Sequence, residues 1–207
     1  MLDKKIIFIA VIIALILVGG SWYYSQQGAI TPSPMPKNKA GFEPGIVVGN
    51  PNAPVVMEEY TNFACSACGA FAVGPLERIK EDYIKTGKIR IILYVLPPYE
   101  FGWAALCAEE QNKFIVLHDY IFSHQSQITQ ESSLKDAAVN AGLDSTRFNA
   151  CYSSGKYAAK AVKWSEEARE RGIEATPTFF INGQKLIGAL PYDDFKKIID
   201  EKLDQAK

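Results

Sequence analysis

A chain of 207 residues has the length of one domain, with or without an appendage, and is long enough to bury a sizeable core. Apolar residues at 48% and charged residues at 22% exclude a disordered or fibrous chain. The 22 Lys plus Arg against 23 Asp plus Glu leave a formal net charge of -1, which gives no field to gather phosphates, so no nucleic acid partner is expected. The four cysteines are an even number in a chain that opens with a membrane or export signal, and disulfide chemistry is the first hypothesis to test.

Residues Ile6 to Val18 are all apolar, and the uncharged stretch continues to Tyr24. As a helix it would reach about 28 Å, close to the thickness of a bilayer core. Lys4 and Lys5 precede it with Asp3, so by the positive-inside bias residues 1–5 form a cytoplasmic tail and the rest is exported. Trp22, Tyr23 and Tyr24 suit the headgroup layer at the outer end. Residues 6–24 therefore read as a single-pass transmembrane anchor with an extracytoplasmic C-terminal domain. The alternative is a cleaved signal peptide and a secreted or periplasmic protein. No clean small-x-small cleavage site follows the run, and no cysteine lies nearby to accept a lipid. Residues 25–45, with Pro32, Pro34, Pro36 and Pro44, read as an extended spacer ahead of a folded unit spanning residues 46–207.

In that unit, Val55 to Tyr60 is β-rich and follows the turn-like Gly49-Asn50-Pro51-Asn52-Ala53-Pro54, which predicts a buried strand. A helix is expected from Ser66 to Tyr83 with a bend at Pro75, then a second apolar strand from Ile89 to Leu96, ended by Pro97-Pro98. This β-α-β unit calls for an α/β fold with a sheet covered by helices. The middle third reads as helical. Between Gly102 and His124, the positions Trp103, Leu106, Cys107, Phe114, Leu117, His118 and Ile121 fall largely on one face. A short helix from Leu134 to Ala141 stops at Gly142, Asp144 caps a turn around Phe148, and Lys156 to Arg171 forms a helix stopped by Gly172. Strands at Thr178–Asn182 and Lys185–Gly188 flank an Asn182-Gly183 hairpin signal, and a closing helix runs from Tyr192 to about Leu203.

Cys65-Ser66-Ala67-Cys68 stands where a buried strand ends and a helix begins. A thiolate is the nucleophile in thiol–disulfide exchange, and the N–H groups and partial positive charge of a helix N-terminus stabilise it. Cys65 is therefore the candidate attacking thiol. Cys68, one turn deeper on the same face, is the candidate resolving thiol. The competing readings of this pair are half of a zinc site or a purely structural bridge. Zinc would need two more ligands from Cys107, Cys151, His118 and His124. The two histidines, six residues apart on a helix, point about 240° apart, so one unbroken helix cannot aim both at one metal. No metal and no cofactor are expected.

Several segments together resemble the DsbA-like branch of the thioredoxin superfamily, from about Gly49 to Leu203. They are Gly49-Asn50-Pro51-Asn52-Ala53-Pro54, Phe63-Ala64-Cys65-Ser66-Ala67-Cys68, Cys107-Ala108-Glu109-Glu110-Gln111, Ser154-Gly155-Lys156-Tyr157, and Gly172 through Thr176-Pro177 to Gly183. The resemblance implies a thioredoxin-like fold with an inserted helical subdomain at about 99–172. It implies a thiol–disulfide oxidoreductase that forms disulfides in exported proteins. It further implies a cis peptide bond at Thr176-Pro177 beside the redox cysteines, where the backbone before the proline is offered to an extended substrate; a bare Thr-Pro would be a trans turn. Glu59 matches the family's buried acid near the resolving cysteine, with a role in moving the proton of Cys68. Simple strand alternation would instead turn one of Glu58 and Glu59 to water.

Four cysteines allow three pairings, and a structural disulfide between Cys107 and Cys151 leaves the Cys65–Cys68 pair intact. Part of the resembled family has a second bridge in its helical insert; the alternative is two buried free thiols. The implied partners are unfolded or reduced exported proteins and a quinone-linked membrane partner of the DsbB or VKOR type. The family often carries Pro with His or Tyr between its cysteines, whereas this chain has Ser66 and Ala67. That departure removes a side chain able to stabilise the Cys65 thiolate, so the oxidising strength of DsbA itself does not carry over. A reductase or isomerase using the same site, and a tethered chaperone-like or metal-handling binding module, are the competing functional readings.

Overall fold

The computed structural model describes residues 42–206. The apolar segment 6–24, with the cytoplasmic tail before it and residues 25–41 of the spacer, lies outside the described residues. Among the described residues no helix is long and apolar enough to cross a membrane. In chain order the elements are β1 (Ile46–Gly49), β2 (Val55–Thr61), α1 (Ser66–Ala72), α2 (Pro75–Ile79, continued by a π-helical turn Lys80–Ile84), β3 (Ile89–Val95), α3 (Tyr99–Glu109), α4 (Phe114–Ser123, followed by a 3-10 turn Gln125–Gln127), α5 (Glu131–Asn140), α6 (Ser145–Ser154), α7 (Ala158–Glu170), β4 (Thr178–Ile181), β5 (Gln184–Ile187) and α8 (Tyr192–Gln205).

The strands form one sheet in the order β1-β3-β2-β4-β5. Runs of Val, Ile and Tyr suit a pleated surface covered on both sides, and β2 and β3, which carry such runs, take the interior positions and pair in parallel. The other three pairings are antiparallel. The β4–β5 turn uses Asn182 and Gly183 at φ 43° and 86°, the left-handed pair that a tight hairpin requires. Asn182 does further work, since its Oδ1 accepts the Val56 N–H at 2.8 Å and its own N–H reaches the Val56 carbonyl at 2.9 Å.

Alternation along β2 divides the domain into two faces. On one, Phe179 of β4 is met by Phe71 of α1 and Phe195 of α8, with ring centroids 4.5 and 4.9 Å away. On the other, Tyr60 stacks on Tyr94 at 4.6 Å, and Trp164 of α7 meets Tyr94 edge-on. Arg171, just past α7, pairs with Glu58, donates to the Tyr60 hydroxyl and lies 4.3 Å from the Phe180 ring. Between β3 and β4 the chain builds a helical subdomain, α3 to α7, as expected for an α/β fold with an insert.

Three details differ from the sequence expectation. The helix expected over Ser66 to Tyr83 is interrupted at Gly74, because Pro75 has no N–H to donate and starts a new helix instead. The helical stretch from Gly102 to His124 is two helices, broken where Asn112 adopts φ 55° and the N–H groups of Asn112 and Lys113 turn back to Glu109 and Ala108. The edge strand β1 was not expected at all; only Ile46 of its four residues is buried, too little pattern to read. Just before it, Glu43 is tied to α7 by a 2.6 Å bond from its N–H to Glu167 and an ion pair with Lys163 at 2.9 Å.

Cys107 and Cys151 form a disulfide that joins α3 to α6, with Cα atoms 5.8 Å apart and a sequence separation of 44. Closing a loop of that length stabilises the fold by about 3–4 kcal/mol in the chain-entropy account. The double replacement Cys107→Ala/Cys151→Ala is therefore expected to lower the unfolding free energy by about that amount, read from the urea midpoint, with the far-ultraviolet circular dichroism of the folded state unchanged.

Candidate active site

The site is assembled at the end of β2. After Thr61 the chain turns at Asn62, whose side-chain oxygen accepts the Ala64 N–H at 2.7 Å and whose carbonyl accepts the Cys65 N–H at 3.0 Å. This turn delivers Cys65 to the N-cap of α1 in an extended conformation, φ -91° and ψ 121°. An N-cap side chain ordinarily offers oxygen to the orphan N–H groups of the first turn, and here sulfur takes that place. Cys65 Sγ accepts the Cys68 N–H at 3.4 Å. Ser66 and Ala67 between the cysteines are small and leave the cap uncrowded.

Both Cys65 and Cys68 are free thiols, Cys65 half-buried and Cys68 fully buried. Burial pushes the Cys65 thiol up, but hydrogen bonding from the Thr176 side chain and from the N–H groups of Cys68 and Ala67 outweighs it and holds the group below the ordinary thiol range. For Cys68 burial dominates and pushes it up to about 12, with the neighbouring Cys65 sulfur adding to the rise. One thiol ionises readily at the surface; its partner three residues on keeps its proton in the interior.

Thr176 and Pro177 reach the pair from 111 residues away. Their peptide bond is cis, and the Thr176 carbonyl lies 3.3 Å from Cys65 Sγ, which donates to it as a thiol. The loop is held from both sides, since Thr178 Oγ1 donates to the Ala175 carbonyl at 2.7 Å and the Gly188 N–H to the Pro177 carbonyl at 2.8 Å. Pro177 is buried while Ala175 is exposed, so the backbone just before the cis bond borders solvent beside Cys65.

Glu59 and Thr61 stand on the same face of β2, both fully buried. The cross-strand neighbours of Glu59 are Leu93 and Phe179, neither of which offers a hydrogen bond, and neither carboxyl oxygen has a hydrogen-bond partner among the described residues. Burial accordingly pushes the carboxyl up to about 8. The Thr61 hydroxyl is likewise buried with no hydrogen-bond partner among the described residues. Glu58, one residue earlier, faces the opposite side of the sheet. Instead of turning to water, it is largely buried against Arg171.

The remaining residues singled out from sequence serve the scaffold. Cys107 and Cys151 are bonded to each other. His118 is buried among Phe63, Phe114 and Phe122, with Nδ1 2.9 Å from Asp119. His124 stacks on Tyr120 at 4.2 Å. Among the described residues no three His, Cys, Asp or Glu side chains are grouped to hold a metal ion. Two contributors went unread in the sequence. Thr61 lies just past the strand expected at Val55 to Tyr60 and belongs to no motif, although its place two residues from Glu59 marks it for the same face. Gln125, whose carboxamide touches the active-site turn, carries no motif that would single it out.

An acidic thiol on a helix N-terminus, a buried thiol one turn on and an open backbone edge beside them are the parts that thiol–disulfide exchange requires. The family described as thioredoxin matches residues 42–201 of this chain. The chain is 27% identical over 169 residues to the probable disulfide bond formation protein D of Bacillus anthracis, covering 75% of this chain and 77% of that protein. It is similar to the crystal structure of Wolbachia pipientis α-DsbA1, with a TM-score of 0.71 and 27% identity over 77% of this chain and 91% of the other. BdbD from Bacillus subtilis shares the fold at a TM-score of 0.70 and 22% identity, covering 79% of this chain and 97% of its own. With these likenesses joined to the geometry of Cys65 and Cys68, the chain belongs to the thioredoxin family and is a thiol–disulfide oxidoreductase of its DsbA-like branch.

Proposed function

We propose that this oxidoreductase works as an oxidase outside the cytoplasm, donating a Cys65–Cys68 disulfide to reduced exported proteins. The observation that carries the reading is the opposed ionisation of the two thiols. A stabilised Cys65 thiolate favours the reduced form of the enzyme, and an enzyme whose reduced form is favoured is an oxidant toward its substrates.

In the forward step a substrate thiolate attacks Cys65 Sγ, the S–S bond breaks, and its electron pair leaves on Cys68. Cys68 holds a proton tightly once reduced, so this departure needs an acid. Glu59, protonated at neutral pH by its burial, is the acid that supplies that proton. A second substrate thiolate then attacks the substrate sulfur of the mixed disulfide, and Cys65 leaves as a stable thiolate. The substrate has lost two electrons to the enzyme and two protons to solvent; Cys68 is a thiol, Cys65 a thiolate, and Glu59 regains its proton from solvent. Throughout, the extended substrate pairs with backbone at Thr176 beside cis-Pro177, a mode that accepts many sequences. Reoxidation falls to a quinone-linked membrane partner of the DsbB or VKOR type, toward which the segment 6–24, as a membrane anchor, would hold the domain.

The reductase or isomerase reading keeps one specific support, the absence of any polar ring between the cysteines at Ser66-Ala67. The redox equilibrium with glutathione separates the two. An oxidase has a reduction potential well above the roughly -270 mV of thioredoxin; a value near thioredoxin's would overturn the proposal. In the same assay Cys65→Ser is expected to abolish exchange, while Cys68→Ser accumulates the mixed disulfide with substrate, read by non-reducing electrophoresis.

The proton held by Glu59 has its own signature. The folded carboxyl keeps its proton up to about 8, whereas in the unfolded chain it loses it near the ordinary value of 4.5. Between these values the unfolded state binds fewer protons, so burying Glu59 costs progressively more as pH rises, and the cost levels off above about 8. Glu59→Gln removes this dependence. The stability of Glu59→Gln relative to the parent, from urea midpoints, is expected to rise from about pH 4 to about pH 8; a pH-independent difference would mean that the acid is ionised in the fold.

A further inference from the structure

The turn that carries Cys65 is held by a residue of the helical insert. Gln125 lies in the 3-10 turn after α4, and its Nε2 donates to the carbonyls of Phe63 at 2.7 Å and Cys65 at 2.8 Å. Two carbonyl oxygens at those distances require the amide nitrogen on that side, since an amide oxygen there would face two acceptors. The Cys65 carbonyl is the one that accepts the first helical bond of α1, from Gly69 N–H at 3.1 Å, so Gln125 and the helix bind the same atom.

The other end of the carboxamide is just as closely seated. A Cβ placed on Gly69 would lie 2.7 Å from Gln125 Oε1, nearer than side-chain carbons approach oxygen. The glycine is what lets the amide reach the turn. Gln125 itself stands on a firm base. The His124 N–H bonds to the Tyr120 and Ile121 carbonyls at 3.1 Å each, and Phe122 packs on Phe63 with ring centroids 4.7 Å apart.

We propose that Gln125 is the positioning residue of the redox pair: from the helical insert it clamps the strand-to-helix turn in the one shape that sets Cys65 Sγ on the N–H groups of α1. The two carbonyls it caps flank Cys65 in the turn. Without the donor they must turn toward other partners, and the rotation carries Cys65 off the cap, where the 3.4 Å contact with the Cys68 N–H is the first to be lost. The insert is thereby part of the active site, although it supplies none of the reacting atoms.

The test uses the full chain and follows the Cys65 thiolate by its ultraviolet absorbance against pH, with urea midpoints as a check on folding. Cys68, at about 12, titrates at the far end of that range, and Glu59, near 8, is silent in thiolate absorbance. Gln125→Met keeps the side chain's length and removes the donor; the Cys65 midpoint is expected to rise by about half a unit to one unit. Gly69→Ala, which favours helix α1 by propensity, is expected to raise it similarly by pushing the amide away. The double variant should shift no further than either single change, because both remove the same clamp. An unmoved midpoint in either folded single variant, or additive shifts, overturns the proposal; should Gln125→Met not fold, Gly69→Ala decides the matter. The inference rests on Cys65 being the exchanging thiol. Limiting alkylation of the parent that labels another cysteine first overturns that reading, whereas Cys65 labelled first with unmoved midpoints overturns only the role of Gln125.

Discussion

A sulfur atom in the place of a helix-capping oxygen is the contact on which the rest of this site depends. Every helix leaves its first N–H groups without intrahelical partners, and in α1 the one at Cys68 points at the side chain of Cys65. That single arrangement stabilises the anionic sulfur. It also fixes the spacing to Cys68, since a residue three positions on is the one whose N–H a cap receives. The motif and the cap are one geometric fact seen twice.

Burial supplies the asymmetry. Cys68 is one turn along the same helix, yet it is fully buried, and there a charge has no solvent to stabilise it. Glu59 obeys the same constraint from the sheet side. Placed on a central strand between Leu93 and Phe179, it keeps a proton that a surface carboxylate would shed. Two groups of the site thus resist ionisation while one favours it.

The sheet's two faces divide the labour. The face with Glu59 and Thr61 is the one on which Phe71 of α1, the helix that carries the cysteines, packs against Phe179. The opposite face spends its one acidic strand residue, Glu58, on Arg171, which also reaches Tyr60 and Phe180 and so pins the end of α7 to the sheet. The Cys107–Cys151 bond ties α3 to α6 within the insert, and the insert in turn grips the active-site turn. Sulfur chemistry therefore appears in two forms here, one bond that closes a loop and one pair kept free for exchange.

Much of this was legible in the residues themselves, because capping, turn chemistry and periodicity act between neighbours in the chain. The Cys65-Ser66-Ala67-Cys68 run at the end of an apolar strand, the Asn182-Gly183 hairpin and the helix stops at Gly142 and Gly172, whose φ values are 75° and 64°, follow from such local rules. Alternation likewise separated Glu58 from Glu59. What each acid then meets was decided only by tertiary structure, since Leu93, Phe179 and Arg171 arrive from segments far along the chain. The same holds for the weak edge strand β1, for the approach of Thr176 to Cys65, and for Gln125, whose side chain finds two carbonyls 62 and 60 residues away. Periodicity tells which side of an element is buried. Only the packing of distant segments tells what it is buried against, and that is what sets the charge state of every group in the site.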